Sequence, residues 1–149
     1  MITVPSAGTC NLELVFHGAV ILIVSQIAGF ALLFAINARQ DASAKVALWR
    51  MSHSACSAGA VFLIALAPVV SHLRLSPPVA AFVVDALVVS TYGLCLGTVV
   101  AGASGHRGTR LRGPWPNLIA CVFYLVGVLG STVSGLLLLY GAARAYLSP

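Results

Sequence analysis

The sequence predicts an all-α membrane protein, an antiparallel four-helix transmembrane bundle, and three observations lead to this prediction. The chain of 149 residues is 60% hydrophobic and only 7% charged, and its mean hydropathy is +1.02. A water-soluble domain of this size cannot bury so much apolar surface. Four apolar stretches each exceed the roughly 20 residues that a hydrocarbon core requires. Membrane strands are excluded, because they need only about ten alternating residues.

The four stretches predict a single domain, residues 1–149, made of four consecutive antiparallel helices. The predicted spans cover roughly residues 12–36, 46–70, 78–101 and 116–140. The first span is too long, and too poor in preceding Lys or Arg, to be a cleaved signal peptide. The third span opens with Pro77 and Pro78, and proline is favoured in the first turn of a helix.

The net charge of +5 is distributed unevenly between the two sides of the membrane. Six cationic residues fall in the first and third loops or beside them, and two fall on the opposite side. The six are Arg39, Lys45, Arg50, Arg107, Arg110 and Arg112, and the two are Arg74 and Arg144. This positive-inside bias predicts both termini outside the cytoplasm, in an inner membrane of bacterial type. Anionic lipid headgroups or cofactor carboxylates, and not nucleic acid, are the expected partners of these cations.

His53 lies about two turns into the second span, roughly 10 Å deep at 1.5 Å per residue. An imidazole at that depth is costly unless it is hydrogen-bonded or ligated. Small side chains follow it as far as Ala60, which leaves space for a flat group. The sequence has no Cys/His cluster for zinc and no carboxylate set for a hard cation. These observations favour haem with His53 as its iron ligand, and a histidine that only forms hydrogen bonds is the alternative.

The residues expected around this cofactor come from the second span and the third loop. Arg50 and Arg107 lie at the membrane face nearest His53, where they could pair with haem propionates. The side chains expected to line the cofactor are Trp49, Cys56, Ser57 and Ala60.

The estimated depths of the other polar residues in the membrane place them in two layers. Tyr92 and Tyr124 come out about nine residues from the third-loop ends of their spans, at the depth of His53. His17 and Asp85 form a second layer nearer the termini, about 15 Å away. One iron therefore cannot easily take both histidines from a single chain, which disfavours a bis-histidine cytochrome. Asp85 is expected either to hydrogen-bond, with His17 as a partner, or to handle protons.

Small residues recur along one side of the fourth span. Gly127, Ser131 and Gly135 follow one another at four-residue spacing. This pattern predicts a face on which another helix approaches closely. The partner could be a helix of the same bundle or of another subunit.

At these residues the chain resembles two related groups of small four-helix membrane enzymes, the styrene oxide isomerases and the hydroxylaminobenzene mutases. Phe16-His17-Gly18 resembles both groups. Trp49, four residues before His53, and the segment His106-Arg107-Gly108 resemble the isomerases. Thr91-Tyr92-Gly93 resembles the mutases.

The resemblance to the isomerases implies that His53 holds a ferric haem b near a subunit interface of a trimer. It implies a small aromatic substrate, with an epoxide as the leading expectation. The iron would act as a Lewis acid on the epoxide oxygen, and a hydride shift would give a carbonyl product without redox turnover. Tyr92 and Asp85 are then the expected catalytic residues. The resemblance to the mutases implies instead conversion of arylhydroxylamines to aminophenols, and a non-catalytic haem-binding membrane module is a third possibility.

The chain departs from the pattern of these families at three positions. Both families place an asparagine six residues after the histidine, where this chain has Gly59. An aromatic-Ala-Asn triplet is matched here by Tyr92-Gly93-Leu94, and the isomerases have a tyrosine at the position of Thr98. The resemblance implies that these polar side chains orient the substrate, so the departures bear on which substrate is taken. Asp85 and Tyr124, with Tyr92, are expected to replace part of the lost polarity.

Overall fold

The computed structural model describes residues 7–38 and 43–147, and these residues form four long helices. The helices are α1 (Ala7–Asn37), α2 (Ser43–Val70), α3 (Pro77–Ser104) and α4 (Trp115–Leu147). All four are long and apolar enough to cross a membrane, and the described ranges contain no strand. The prediction of a four-helix transmembrane bundle is confirmed, and the protein is an integral membrane protein.

The helices extend beyond the predicted spans. α4 continues to Leu147, and α2 begins at Ser43, so Lys45 and Arg50 belong to α2 and not to the first loop. Hydropathy marks only the part of a helix that crosses hydrocarbon, whereas backbone hydrogen bonding continues into the headgroup region. Arg39, predicted to lie in the first loop, is outside the described residues.

The ends of α3 follow from its sequence. Pro77 and Pro78 open the helix after Ser76, which has extended backbone, and proline lacks only an N–H that is unpaired in the first turn anyway. Gly105 ends the helix with a φ of 74° and donates its N–H to the carbonyl oxygen of Ala101 over 2.9 Å. A left-handed residue at this place is easiest for glycine, because it has no Cβ.

α3 is the central helix of the bundle. Consecutive helices pack against each other, and α3 also contacts α1. The backbones of α3 and α4 touch, since a Cβ on Gly93 would lie 2.9 Å from the amide nitrogen of Gly127. α4 therefore joins the bundle mainly through α3, and a cleft remains between α2 and α4.

The three small residues of α4 that were predicted to meet another helix lie on two of its surfaces. Gly127 contacts α3, but Ser131 is exposed and a Cβ on Gly135 would meet nothing within 4 Å. The packed face continues instead through Gly130 and Ser134, which is fully buried. A step of four residues overshoots the 3.6-residue turn, so a strict four-residue pattern rotates away from the neighbouring helix and into the cleft.

Two hydrophobic clusters fill the interior. One lies toward the α2–α3 connection and is formed by Leu14, Leu63, Ala67, Val70, Val83, Val84, Leu87 and Val88. The other lies near the middle of the bundle and is formed by Ile21, Cys56, Ala60 and Cys95. Tyr92 packs against both clusters.

Candidate functional site

His53 projects from α2 against α1, where the backbone of Ser25 fixes its orientation. The ring nitrogen Nδ1 lies 2.9 Å from the carbonyl oxygen of Ser25 and 3.1 Å from the Ser25 hydroxyl. A carbonyl oxygen only accepts hydrogen bonds, so Nδ1 of the neutral ring carries the proton and donates it. The other ring nitrogen, Nε2, then holds the lone pair.

Two serines and a glycine complete this arrangement. The Ser25 hydroxyl donates to the carbonyl oxygen of His53 over 3.0 Å. Its oxygen lies 2.6 Å from the Ser57 hydroxyl, so Ser57 is the donor of that pair. Gly29 lets the ring lie close to α1, because a Cβ there would be 3.2 Å from Nδ1 and 3.3 Å from Cε1. The imidazole is thus positioned by groups on both helices.

The Nε2 atom of His53 is the nitrogen that this site offers to a ligand or metal. Within the described ranges it forms no hydrogen bond. It is also not fully buried, so it can be reached from outside the chain. Histidines that ligate metals commonly donate the second ring N–H to a backbone carbonyl or carboxylate, which fixes the tautomer. No three His, Cys, Asp or Glu side chains converge in the described part of the chain. A single imidazole of this kind fits haem, whose iron can be held by one histidine.

The cleft between α2 and α4 contains a cavity of about 510 Å³. Its walls come from α2, α3 and α4, and most of the lining side chains are small or apolar. They are Ala55, Ala58, Gly59, Phe62, Leu87, Ser90, Thr91, Leu94, Cys95, Thr98, Ser131, Ser134, Gly135 and Leu138. The exposed members, among them Ala58 and Gly135, belong to α2 and α4, so the cavity opens on the surface of the chain between those two helices.

Five hydroxyl groups line this cavity, and each donates its proton to a backbone carbonyl of its own helix. Ser90 and Thr91 both donate to the carbonyl oxygen of Leu87, over 2.9 and 2.8 Å. Thr98 donates to Cys95 and Ser131 to Val128 within their own helices. Ser134 likewise donates to Gly130 over 2.8 Å. The five hydroxyl oxygens therefore offer lone pairs to the cavity and no proton.

His53 and the cavity lie on opposite sides of α2. At about 100° per residue, Ala55, Gly59 and Phe62 are about 180–240° around the helix from His53. His53 contacts α1, whereas these three residues line the cavity. The imidazole of one chain therefore cannot reach a molecule in the cavity of the same chain.

Comparison with known families decides the kind of protein. A model of the styrene oxide isomerase family matches residues 10–143. The chain belongs to the styrene oxide isomerase family. No curated protein matches the chain. Because the family match covers most of the sequence, membership indicates a membrane-embedded isomerase.

The three positions at which this styrene oxide isomerase family member departs from the expected pattern meet in one place. Gly59, Leu94 and Thr98 all line the 510 Å³ cavity. They lie on two helices and are up to 39 residues apart in sequence.

The residues expected to line a cofactor are divided between different surfaces of α2. Ser57 lies beside His53, as described above. Cys56 and Ala60 are fully buried in the central cluster, and Trp49 packs against α3, with Gly102 beneath its ring. Neighbours of His53 in sequence point in different directions because each residue turns the helix by about 100°. In a single chain, Cys56 and Ala60 therefore present no surface to a cofactor.

The two arginines expected at the propionates also lie apart. Arg50 is exposed one turn before His53 on α2. Arg107 is exposed in the α3–α4 loop, where it lines a second cavity of about 300 Å³ with Met51 and Tyr124. Of the two, Arg50 is the one near the imidazole of its own chain.

The α3–α4 loop, which carries the family-like segment around Arg107, is held by Asn117. The side-chain oxygen of Asn117 accepts the N–H of Gly108 over 2.9 Å. Its side-chain nitrogen donates to the carbonyl oxygens of Arg110 and Arg112, over 2.6 and 2.9 Å. One amide therefore fixes three points of the basic loop against the start of α4.

Tyr92 contacts His17 and not the His53 site. Its hydroxyl lies 3.1 Å from Nδ1 of His17, and the two rings meet edge to face at 5.6 Å. Helical side chains lean toward the N-terminus of their helix, so Tyr92 reaches from the depth of His53 toward the second layer. Asp85, the expected partner of His17, is exposed on α3 and forms no hydrogen bond within the described ranges. Neither Tyr92 nor Asp85 lines the cavity.

Two residues that position the imidazole, Ser25 and Gly29, are not predicted from the sequence. Ser25, with the adjacent Gln26, interrupts an otherwise apolar stretch of the first span, and this interruption is the one signal that could have identified it. Which residue of α1 faces His53 depends on the register between the two helices. That register is set by packing between the helices and cannot be predicted from either segment alone.

Proposed function

We propose that this protein is a haem b-dependent membrane isomerase that rearranges an aromatic epoxide into a carbonyl compound without net oxidation or reduction. Family membership supports an isomerase. The observation that supports the haem is the His53 ring, whose Nδ1–H is held by the Ser25 carbonyl while Nε2 has no hydrogen-bond partner among the described residues.

The residues that would hold the haem are few. His53 would supply a nitrogen ligand, Ser25 and Ser57 would orient its ring, and Arg50 would supply a cation for a propionate at the membrane face. When bound, ferric haem supplies a Lewis acid toward the epoxide oxygen.

The cavity would hold the substrate and stabilise the charge that develops on it. Breaking the C–O bond at the carbon bearing the aromatic ring leaves that carbon positive. A hydride then moves from the adjacent carbon, and the carbonyl group forms with no atom gained or lost. Hydroxyl oxygens with only lone pairs to offer stabilise a nearby positive charge, and the apolar walls exclude the water that would trap it.

A complete site then requires two copies of the chain. The imidazole and the cavity of one chain face in opposite directions, so we propose that the α1–α2 face of one copy covers the α2–α4 cleft of the next. A closed ring of copies satisfies this arrangement, and resemblance to the family suggests three. The positive-inside bias suggests that both termini of each copy lie outside the cytoplasm.

The test begins with spectra of purified protein. His53→Ala should lose the Soret absorption and the turnover of styrene oxide, while the neighbouring exposed substitution Ser54→Ala should retain both. A Soret band of wild-type intensity in His53→Ala would rule out this ligand.

A second assay separates the two reactions. Wild-type protein is incubated with styrene oxide and with phenylhydroxylamine, without a reductant. Conversion of the epoxide to phenylacetaldehyde supports the isomerase. Conversion of phenylhydroxylamine but not of the epoxide would show that the protein is a mutase. Bound haem with no turnover of either compound would indicate a haem-binding module.

A further inference from the structure

We infer that the natural substrate is a hydrocarbon epoxide bearing two or three fused rings, and that Gly135 sets the upper limit of its size. This inference rests on the function proposed above and concerns the same cavity.

The size of the cavity indicates the size of the substrate. An apolar cavity of about 150 Å³ accommodates one benzene ring. The cavity between α2, α3 and α4 measures about 510 Å³ in one chain, where it is open between α2 and α4, and this volume is in the range of pockets for larger ligands. A substrate with a single ring would leave much of this space unfilled and would forfeit the contacts that orient it.

The positions of two glycines show where the space lies. A Cβ on Gly59 would be 2.8 Å from the Thr91 methyl group, so Thr91 already fills the place of a side chain at residue 59. A Cβ on Gly135 would meet nothing within 4 Å. The cavity is therefore closed on the Gly59 side and extends toward Gly135, where any larger side chain would occupy it.

The lining restricts the chemistry of the substrate. The five hydroxyl protons are donated to backbone carbonyls, and the Cys95 thiol, which packs beside Cys56, is only a weak donor. A carbonyl, nitro or carboxylate substituent would find no strong donor here, and leaving an acceptor unpaired in an apolar site costs binding energy. A hydrocarbon ring system has no acceptor to leave unpaired, so it loses no binding energy in this way.

The first experiment compares 2-(2-naphthyl)oxirane with styrene oxide in wild-type protein, in Gly135→Leu and in Ala142→Leu. Ala142 is exposed elsewhere on α4, so this control adds the same bulk outside the cavity. Wild-type protein and Ala142→Leu should prefer the naphthyl epoxide at least fivefold in kcat/KM. In Gly135→Leu the preference ratio should fall at least tenfold, because steric discrimination of this kind spans roughly 10- to 200-fold. Equal ratios in the three proteins would overturn the inference and leave the isomerase intact.

A binding experiment tests the cavity without catalysis. Unreactive 2-ethylnaphthalene should raise the melting temperature of wild-type protein more than ethylbenzene or methyl 2-naphthoate does. Gly135→Leu should lose this shift, and Ala142→Leu should keep it. If no epoxide is turned over but this pattern appears, the ligand class stands and the proposed reaction fails. Equal shifts from all three compounds would overturn the ligand class.

Discussion

One backbone carbonyl fixes the tautomer of His53. Because the Ser25 carbonyl is part of α1, no side-chain substitution removes the acceptor of the Nδ1 proton. The position of the ring depends instead on the space above Gly29, which is just sufficient for an imidazole. The chemistry of the site is thus protected against most mutations of α1 but sensitive to any added bulk at one glycine.

We expect Gly29→Val to lower haem content. A Cβ would stand 3.2 Å from Nδ1, and valine adds two methyl groups, so the ring must leave the Ser25 carbonyl. Absorbance at the Soret maximum per mole of protein measures the effect. The control is Ala19→Val, which adds the same groups at an exposed position of α1. Equal haem content in both variants would contradict this account of the site.

The hydrogen bond between Tyr92 and His17 should be measurable as a coupling energy. Double-mutant cycles with Tyr92→Phe and His17→Leu are expected to give about 0.5–1.5 kcal/mol, the range found for polar contacts between membrane helices. Unfolding of the four proteins in detergent supplies the numbers. Because Tyr92 lies outside the cavity, Tyr92→Phe should keep the substrate preference ratio of the wild type. A change in that ratio would indicate that Tyr92 contacts the substrate.

Individual residues could be identified from the sequence when a single segment carried the information. His53 stood out because a polar ring in an apolar span is costly, and it does lie in a hydrogen-bonded site. The partner of Tyr92 could not be identified, because depth arithmetic uses Cα positions and ignores the direction in which a long side chain leans. The neighbours of His53 were assigned by closeness in sequence, so Cys56 and Ala60 were expected at a cofactor although the helix turns them into the core.

Among the elements, α3 and α4 approach each other backbone to backbone at Gly93. A Cβ at Gly93 would be blocked by two backbone atoms of α4, the amide nitrogen of Gly127 and the carbonyl oxygen of Phe123, each 2.9 Å away. Backbone atoms cannot rotate aside as a side chain can. The spacing of these helices, and hence the width of the cleft beside them, depends on this glycine.

Gly93→Ala should therefore destabilise the protein, by about 1–3 kcal/mol if the helices separate to admit a methyl group. Gly135→Ala is the matched control on the same pair of helices. It adds the same methyl group in open space and should be neutral or stabilising by up to about 1 kcal/mol, since alanine favours helix. Melting temperatures in one detergent compare the two. A milder effect at Gly93 than at Gly135 would be incompatible with the described contact.

The four helices were predictable because each must satisfy its own backbone within hydrocarbon, a constraint visible in a single segment. Their ends were less predictable, as α2 begins at Ser43, three residues before the predicted span. A close-packing face of α4 was predicted on Gly127, Ser131 and Gly135, and within the bundle Gly127 meets α3 whereas Ser131 and Gly135 are exposed. Periodicity locates a face to within a turn, whereas packing selects the residues that touch.

At the scale of the whole molecule, the opposed directions of imidazole and cavity predict complementation between defective chains. His53→Ala lacks the ligand, and Gly135→Trp should fill the cavity with an indole ring, so each should be inactive alone. In randomly mixed oligomers, about a quarter of the sites would combine an intact imidazole from one chain with an intact cavity from another. Co-expression of the two variants should restore styrene oxide turnover to about that fraction of the wild-type level.

The control for this experiment joins both substitutions in one chain and co-expresses it with wild-type protein. That mixture should also keep about a quarter of its sites intact, which calibrates the assay. No recovery in the mixture of single variants, with recovery in the control, would place imidazole and cavity in the same chain.

The apolar lining of the cavity has a consequence for how the protein should be assayed. A hydrocarbon epoxide that suits this lining partitions into lipid or detergent, so its supply depends on its mole fraction there and not on its amount per litre of buffer. Adding empty micelles at constant total epoxide would then slow the reaction by surface dilution. Rates from different preparations become comparable only when substrate is expressed per amphiphile.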